Sequence, residues 1–301
     1  VSDDNYRHIE PRLSFRYTLN TTSSIKGAYT QNYQYIHLAS TSSVSLPTDL
    51  WIPSSSSIKP KFSDQYAIGY FKNLKSNMYE TSIEAYYKEM TNLLEYKEGV
   101  LPEDNTNSSS DDAFAFGDGN SYGVEFLLKK TKGKTTGWIG YTLSKTTKYF
   151  DDVNEGISFP AKYDRRHDLS ITATHKLSKK WTLSSVFVYA TGNAITLPTE
   201  RYIIGGNIYT EYTSRNGFRM EPYHRLDIGA TYTPKKKKHY QSSWNFSIYN
   251  IYSRKNPYFI YFALEPNDVE EGSFEDGNVT PKAYQVSIFP ILPSITWNFN
   301  F

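Results

Sequence analysis

The chain has 301 residues, a formal net charge of +2, 27 tyrosines and no cysteine. Lack of cysteine excludes a disulfide scaffold, a thiolate zinc site and a cysteine nucleophile, and the near-neutral charge points to neither nucleic acid nor an acidic partner. Mean hydropathy is −0.59 and no apolar run reaches the length of a spanning helix, but a membrane β-barrel escapes that test because half of each strand faces water.

Residues 12–19 alternate, with Leu13, Phe15, Tyr17 and Leu19 on one face and Arg12, Ser14, Arg16 and Thr18 on the other. A period of two is a strand. A short turn at Asn20–Ser23 leads to a second strand, 24–38, and a long Ser/Pro-rich gap, 39–64, follows. Strand 65–73, a turn near Lys75-Ser76-Asn77 and strand 78–96 come next, the last with Tyr79, Ile83 and Tyr87 opposite Glu80, Glu84 and Lys88. Gap 97–119 precedes strand 120–130, a tight Lys-Gly turn and strand 135–149. Gap 150–163, strand 164–177, a Ser178-Lys179-Lys180 turn and strand 181–198 repeat the pattern. It continues through gap 199–222, strand 223–233, a lysine turn, strand 241–264 and gap 265–281 to a terminal strand.

From Ser294 that terminal strand alternates strictly, with Ile295, Trp297, Phe299 and Phe301 on one face and Ser294, Thr296, Asn298 and Asn300 on the other. A soluble sandwich would turn the aromatic face to a core; a membrane barrel would turn it to lipid and line a wet interior with the other.

The sum is eleven strands whose connections alternate short and long. An up-and-down antiparallel meander then has all its short turns at one end and all its long loops at the other, as transmembrane β-barrels do. Charge is sorted the same way. Segments 72–77, 129–134, 176–180 and 234–239 hold thirteen lysines and no carboxylate, whereas the five long loops hold twenty carboxylates and seven Lys or Arg. Bacterial single-chain barrels close on an even strand count, and an open sheet leaves two edges to cover. Residues 1–301 are therefore expected to be the C-terminal part of a larger all-β transmembrane barrel, with further strands preceding Val1.

Several stretches resemble one family. They are EPRLSFRYTLN (10–20), SDQYAIGYFKNLKSNMYETSIEAYYKEMTNLLEYKEG (63–99), SYGVEFLLKKTKGKTTGWIGYTLSK (121–145), FPAKYDRRHDLSI (159–171), RMEPYHRLDIG (219–229), SIYNIYSRKNP (247–257) and FPILPSITWNFNF (289–301). Their order and spacing resemble the C-terminal half of TonB-dependent outer-membrane receptors, of the type common in Bacteroidota. The resemblance implies a barrel of about 22 strands around an N-terminal plug, coupled to the TonB energy-transducing complex through parts upstream of Val1. It also implies outer-membrane localisation, recognition of Trp297, Phe299 and Phe301 by the barrel assembly machinery, and contact with membrane lipid and lipopolysaccharide. A surface lipoprotein capping the loop end is a further partner open to such a receptor.

Strand parity places Arg12, Arg16, Lys26, Glu80, Glu84, Lys88, Glu125, Arg166, Asp168, Arg225 and Asp227 on the polar face. So many charges would be costly in a soluble core unless paired; in a wet lumen they can line the wall or bond a plug. Specificity is expected in the loops, where Asp49 and Trp51, with Tyr35 and His37 near the strand end, are candidates to touch substrate. Asp111, Asp112, Glu270 and Glu271 are oxygen ligands of the type calcium takes, but without the spacing of a calcium loop, and no metal or cofactor is expected. The six histidines are scattered, and no GxSxG, P-loop or Rossmann fingerprint is present. In Asp164-Arg165-Arg166-His167-Asp168, strand neighbours face opposite ways, so His167 and Asp168 do not share a site. The leading expectation is a non-enzymatic, TonB-coupled importer of a scarce or bulky substrate. A passive or enzymatic outer-membrane barrel and a soluble all-β binding module are the alternatives.

Overall fold

The computed structural model describes residues 6–39, 50–97, 113–204, 207–212, 214–235, 240–263 and 282–300. Its wall is one antiparallel sheet of eleven strands in sequence order. They are β1 (Arg12–Asn20), β2 (Ser23–Gln34), β3 (Lys61–Leu74), β4 (Tyr79–Tyr96), β5 (Phe114–Lys130) and β6 (Thr135–Phe150), then β7 (His167–Lys176), β8 (Trp181–Ala190), β9 (Tyr223–Tyr232), β10 (Gln241–Tyr249) and β11 (Leu292–Asn300). A two-residue strand, Phe159–Pro160, adds to β6. Among the described residues the sheet does not close: β1 pairs only with β2, and β11 only with β10.

Through the middle of the wall, register carries the apolar face from strand to strand; the ladder shifts only nearer the ends, at Thr18/Asn20 and Met90/Leu93 among the described residues. Tyr17 pairs with Ile25, Ile25 with Tyr70, Tyr70 with Ile83 and Ile83 with Phe126. Phe126 continues to Tyr141, Tyr141 to Leu169 and Leu169 to Tyr189. A one-residue slip would turn a whole strand over, so this continuity is what makes the sheet two-faced. The apolar face stays open to its surroundings, with Phe15 58%, Ile68 58% and Ile295 68% exposed. A single-layer sheet packs nothing against its own face. Aromatic pairs lie toward the short-turn end of that face: Trp244 stacks on Trp297 at 5.7 Å between centroids, and Trp181 lies 5.0 Å from Tyr232. Amphipathic rings at that height suit a membrane–water boundary.

The tight turn between β3 and β4 puts Lys75, Ser76 and Asn77 all at positive φ (48°, 52° and 60°). Several element ends differ from the sequence expectation, and each has a local cause. Strand 24–38 is two elements: β2 stops at Gln34, and Ile36–Ala39 leaves the wall to pair with Leu50–Pro53. Strand 181–198 ends at Ala190, because Gly192 passes so close to Met220 that a Cβ would lie 1.8 Å from its carbonyl oxygen. Strand 241–264 is broken rather than bulged. Asn250 and Ser253 adopt positive φ, the Asn250 side chain bonds the backbone of Arg254, and Pro257–Ala263 forms a separate hairpin with Lys282–Ser287. The last twenty residues accordingly split between that hairpin and β11. Conversely, β3 and β5 start earlier than expected, at Lys61 and Phe114.

Among the described residues the buried apolar clusters lie at the loop end. Ala39, Ile58, Leu94, Tyr96 and Phe114 form one cluster; Leu93, Ala115, Phe150, Val153 and Phe159 form another. A transmembrane strand needs about 9–11 residues, so the 18 residues of β4 extend well past that height and give the loops a surface to fold on.

Candidate functional site

The polar face carries one transverse row of charge. Pairing runs Arg16–Lys26–Gly69–Glu84–Glu125–Thr142–Asp168 across seven strands. Arg16 thus sits directly opposite Lys26, and Glu84 directly opposite Glu125, an arrangement that destabilises a sheet unless another charge offsets it. Among the described residues no ion pair reaches Arg16, Lys26, Glu84, Glu125 or Asp168. Lys26 rests over the Phe71 ring at 3.9 Å, and Glu84 accepts a hydrogen bond from Ser82 Oγ at 3.1 Å. Glu84, Glu125 and Asp168 line a depression of about 290 Å³ with Ser82, Trp138 and Thr142.

The other expected polar-face residues divide. Arg12 contacts Glu10 and Asn32, both at 3.3 Å, and Glu80 pairs with Lys129 at 3.0 Å. Lys88 lies on the same face, opposite Gln65 and Ser121. Arg166 precedes β7, and its backbone carbonyl accepts from the Ser144 N–H of β6 at 3.1 Å. Arg225 is held from several sides, by Asp227 at 3.0 Å and by the hydroxyls of Tyr223 and Tyr249 at 2.8 and 2.6 Å. Asp227 also accepts from the Asn250 backbone N–H at 2.9 Å, fixing the turn where β10 ends. His167 takes the opposite face from Asp168 and bonds the Tyr141 hydroxyl through Nδ1 at 2.8 Å.

Of the loop candidates, Trp51 is 67% exposed on its hairpin, and the Tyr35 hydroxyl lies 3.1 Å from His8 Nδ1. His37 is different. It is fully buried, with Nε2 3.2 Å from Ser54 Oγ. Burial first, and the charge of Lys61 second, lower its pKa to about 4, so it is a neutral packing residue and is not presented to a ligand. Asp49, Asp111, Asp112, Glu270, Glu271 and Phe301 lie outside the described residues. Trp297 stacks on Trp244 and touches Phe299, which in turn meets Tyr240 at 4.9 Å.

The sequence reading missed a network at the loop end. Glu95, 6% exposed, accepts from Lys148 Nζ at 2.7 Å and from Arg215 Nη2 at 2.9 Å. Burial works to raise its pKa, but Lys148, Lys162 and Arg215 outweigh that and hold it at about 2. Arg215 comes from the loop between β8 and β9, and its backbone N–H donates to Asn154 Oδ1 at 2.7 Å. Nearby, buried Asp164 accepts from the Thr146 N–H of β6 at 2.6 Å and pairs with Arg219. The DRR (164–166) and RME (219–221) stretches are therefore fasteners that seat two loops on the polar face. One signal was available in the sequence: Glu95 is a carboxylate inside the apolar run Leu93-Leu94-Glu95-Tyr96.

A one-layer antiparallel meander with a continuous apolar face, a charged face, short turns at one end and folded loops at the other is the wall of an outer-membrane β-barrel. The family model described as TonB dependent receptor-like, beta-barrel, matches residues 1–251, and the chain belongs to that family. Three solved structures are similar to it. The ferric-catecholate import receptor Fiu from K12 E. coli aligns with a TM-score of 0.55 at 14% identity, over 82% of this chain and 31% of that one. The ferripyoverdine receptor of Pseudomonas aeruginosa gives 0.54 at 17%, over 84% and 29%. The ferric citrate transporter FecA gives 0.54 at 11%, over 96% and 37%. At these identities the likeness shows the fold, and this chain spans about a third of the length of each. A search of curated protein sequences gave no match.

Proposed function

We propose that the chain is the C-terminal portion of a TonB-dependent importer that moves a scarce or bulky substrate across the outer membrane. The whole barrel would have about 22 strands, with the apolar face against lipid and lipopolysaccharide and the polar face around a plug supplied by the rest of the protein. The observation that carries this reading is the polar-face row. Arg16 against Lys26 and Glu84 against Glu125 have no offsetting ion pair among the described residues, so a polar body with charges of its own is what the wall needs in front of it. Short lysine turns would then face the periplasm, and the folded loops the exterior, where Trp51 and a surface lipoprotein could meet substrate. Trp297 and Phe299 would present the closing strand to the barrel assembly machinery.

The full-length receptor, solubilised in detergent, tests this by co-purification with the periplasmic domain of TonB. A saturable complex is expected, together with a crosslink between photo-reactive residues at Glu84 or Glu125 and the N-terminal region of the same protein. No complex and no such crosslink would leave a passive barrel as the better description.

A further inference from the structure

We infer that the lysine-bearing short turns form a rim that binds anionic phospholipid head groups in the leaflet at that end of the wall. The inference concerns the wall alone and holds for a passive barrel as well as for an importer. Four consecutive short-turn segments, 72–77, 129–134, 176–180 and 234–239, carry thirteen lysines and no carboxylate, and the remaining short turn, 20–23, adds no charge. They join β3 to β4, β5 to β6, β7 to β8 and β9 to β10. From the first of these hairpins to the last is six strand spacings, an arc of about 29 Å at the usual distance between strands. Among the described residues one ion pair touches the rim, Lys129 with Glu80 at 3.0 Å. Lys132 Nζ donates to the neutral Ser76 carbonyl at 2.8 Å. Such a run of like charge repels itself unless counter-charge lies against it.

Depth and chemistry identify the counter-charge as lipid. Strand parity puts Lys72 and Lys130 on the apolar face itself: Lys72 follows Tyr66, Ile68 and Tyr70 at steps of two, and Lys130 pairs with Tyr79. A lysine on the lipid-facing side is costly at mid-membrane and nearly free at the boundary, so these two mark head-group height. The Nζ atoms of Lys75 and Lys130 each lie 5.9 Å from the Tyr79 ring centroid, and Trp181 opens β8 directly after the exposed Lys179 and Lys180. Tyrosine and tryptophan rings gather at the membrane–water boundary, and lysine stems reach from there to the phosphates. Apolar side chains are set among the cations, with Leu74 39% and Leu177 60% exposed. A soluble anion gains nothing from them, whereas the first carbons of an acyl chain do. A band one turn deep and about 29 Å long also matches a flat anionic surface better than the compact footprint of a protein.

Tryptophan quenching in the full-length receptor, reconstituted in phosphatidylcholine vesicles, tests the rim, because Trp181 and Trp244 lie on the apolar face near it. Phosphatidylglycerol and phosphatidylcholine, each brominated on the acyl chains, are the separate probes. At low ionic strength the first should be favoured about fivefold over the second. A variant combining Lys72→Gln, Lys130→Gln and Lys179→Gln should bring that ratio close to one, and the same three positions changed to Arg should keep it. Lys97→Gln, at the loop end, should leave it unchanged. Equal quenching by the two lipids in wild type, an unchanged preference in the glutamine variant, or an equal loss in the arginine variant or in Lys97→Gln overturns the proposal. So does a preference that millimolar inorganic phosphate abolishes, since the rim would then be a soluble-anion site. TonB co-purification should be the same in all variants. A glutamine variant that keeps its lipid preference but loses TonB makes the rim a protein surface and refutes the lipid reading. A wild type that prefers phosphatidylglycerol but never binds TonB refutes the importer reading alone.

Discussion

Replacing Glu95 by Gln removes one charge from the centre of the loop-end network while nearly conserving its volume. The carboxylate is held at a pKa of about 2 against an ordinary 4.5. At 1.36 kcal/mol per pKa unit, that gap is worth about 3 kcal/mol in favour of the ionised form at neutral pH. Breaking a buried ion pair from one side costs about 3–5 kcal/mol, and the partial exposure of Lys148 and Arg215 argues for the lower end. An effect of about 2–3 kcal/mol is expected, which raises the opening constant of the attached loops about 30- to 150-fold. The change should stay local, since the strand ladder of the wall does not run through Glu95's side chain. Hydrogen exchange in the full-length receptor should show lost protection over 151–160 and 214–220, where the Arg215 and Asn216 N–H groups donate to Asn154 and Thr196, and unchanged protection in β6 and β7. Unaltered exchange in both loop segments would refute the reasoning.

Acidification should loosen the same end. His37, with a folded pKa of about 4 against 6.5, contributes no penalty above pH 6.5. As pH falls from there to 4 the unfolded imidazole takes a proton that the buried one refuses, costing up to about 3 kcal/mol; Glu95 adds to the loss between 4.5 and 2. Proteolysis near residues 50–60 should rise between pH 7 and 5 in wild type and less so in His37→Asn. Gly192→Ala should unseat the β8–β9 loop, because a Cβ there meets the Met220 carbonyl at 1.8 Å; increased exchange over 191–196 and 218–220 is the readout, and wild-type exchange would contradict it. Ile83→Lys puts a charge on the apolar face in mid-wall and should destabilise refolding into lipid vesicles by about 2–4 kcal/mol. The neighbouring polar-face change Ser82→Lys should cost far less, and equal costs would mean that the apolar face does not meet lipid.

Architecture was largely legible in the sequence because alternation is a local property. Leu13 to Leu19, Tyr79 to Tyr87 and Ser294 to Asn300 each carry a period of two within a few residues, and period two fixes both the strand and its two faces. Connection length and lysine content then ordered the ends. Strand limits were less legible because they are set by contacts outside the strand. Asn250 stops β10 through Arg254 and Phe289, and Gly192 stops β8 through Met220.

The loop-end cluster lay beyond any reading of the chain alone. Glu95 and Arg215 are 120 positions apart, and only folding of the β8–β9 loop onto the charged face joins them; His37 likewise looked like a loop residue until the hairpin of Ile36–Ala39 and Leu50–Pro53 enclosed it. The sequence by itself determined a two-faced ribbon, its handed ends and its family, since these follow from neighbours along the chain. Which charges meet, and which are left over, was decided by tertiary structure, because Coulomb attraction acts through space and falls with distance regardless of how far apart two residues are numbered.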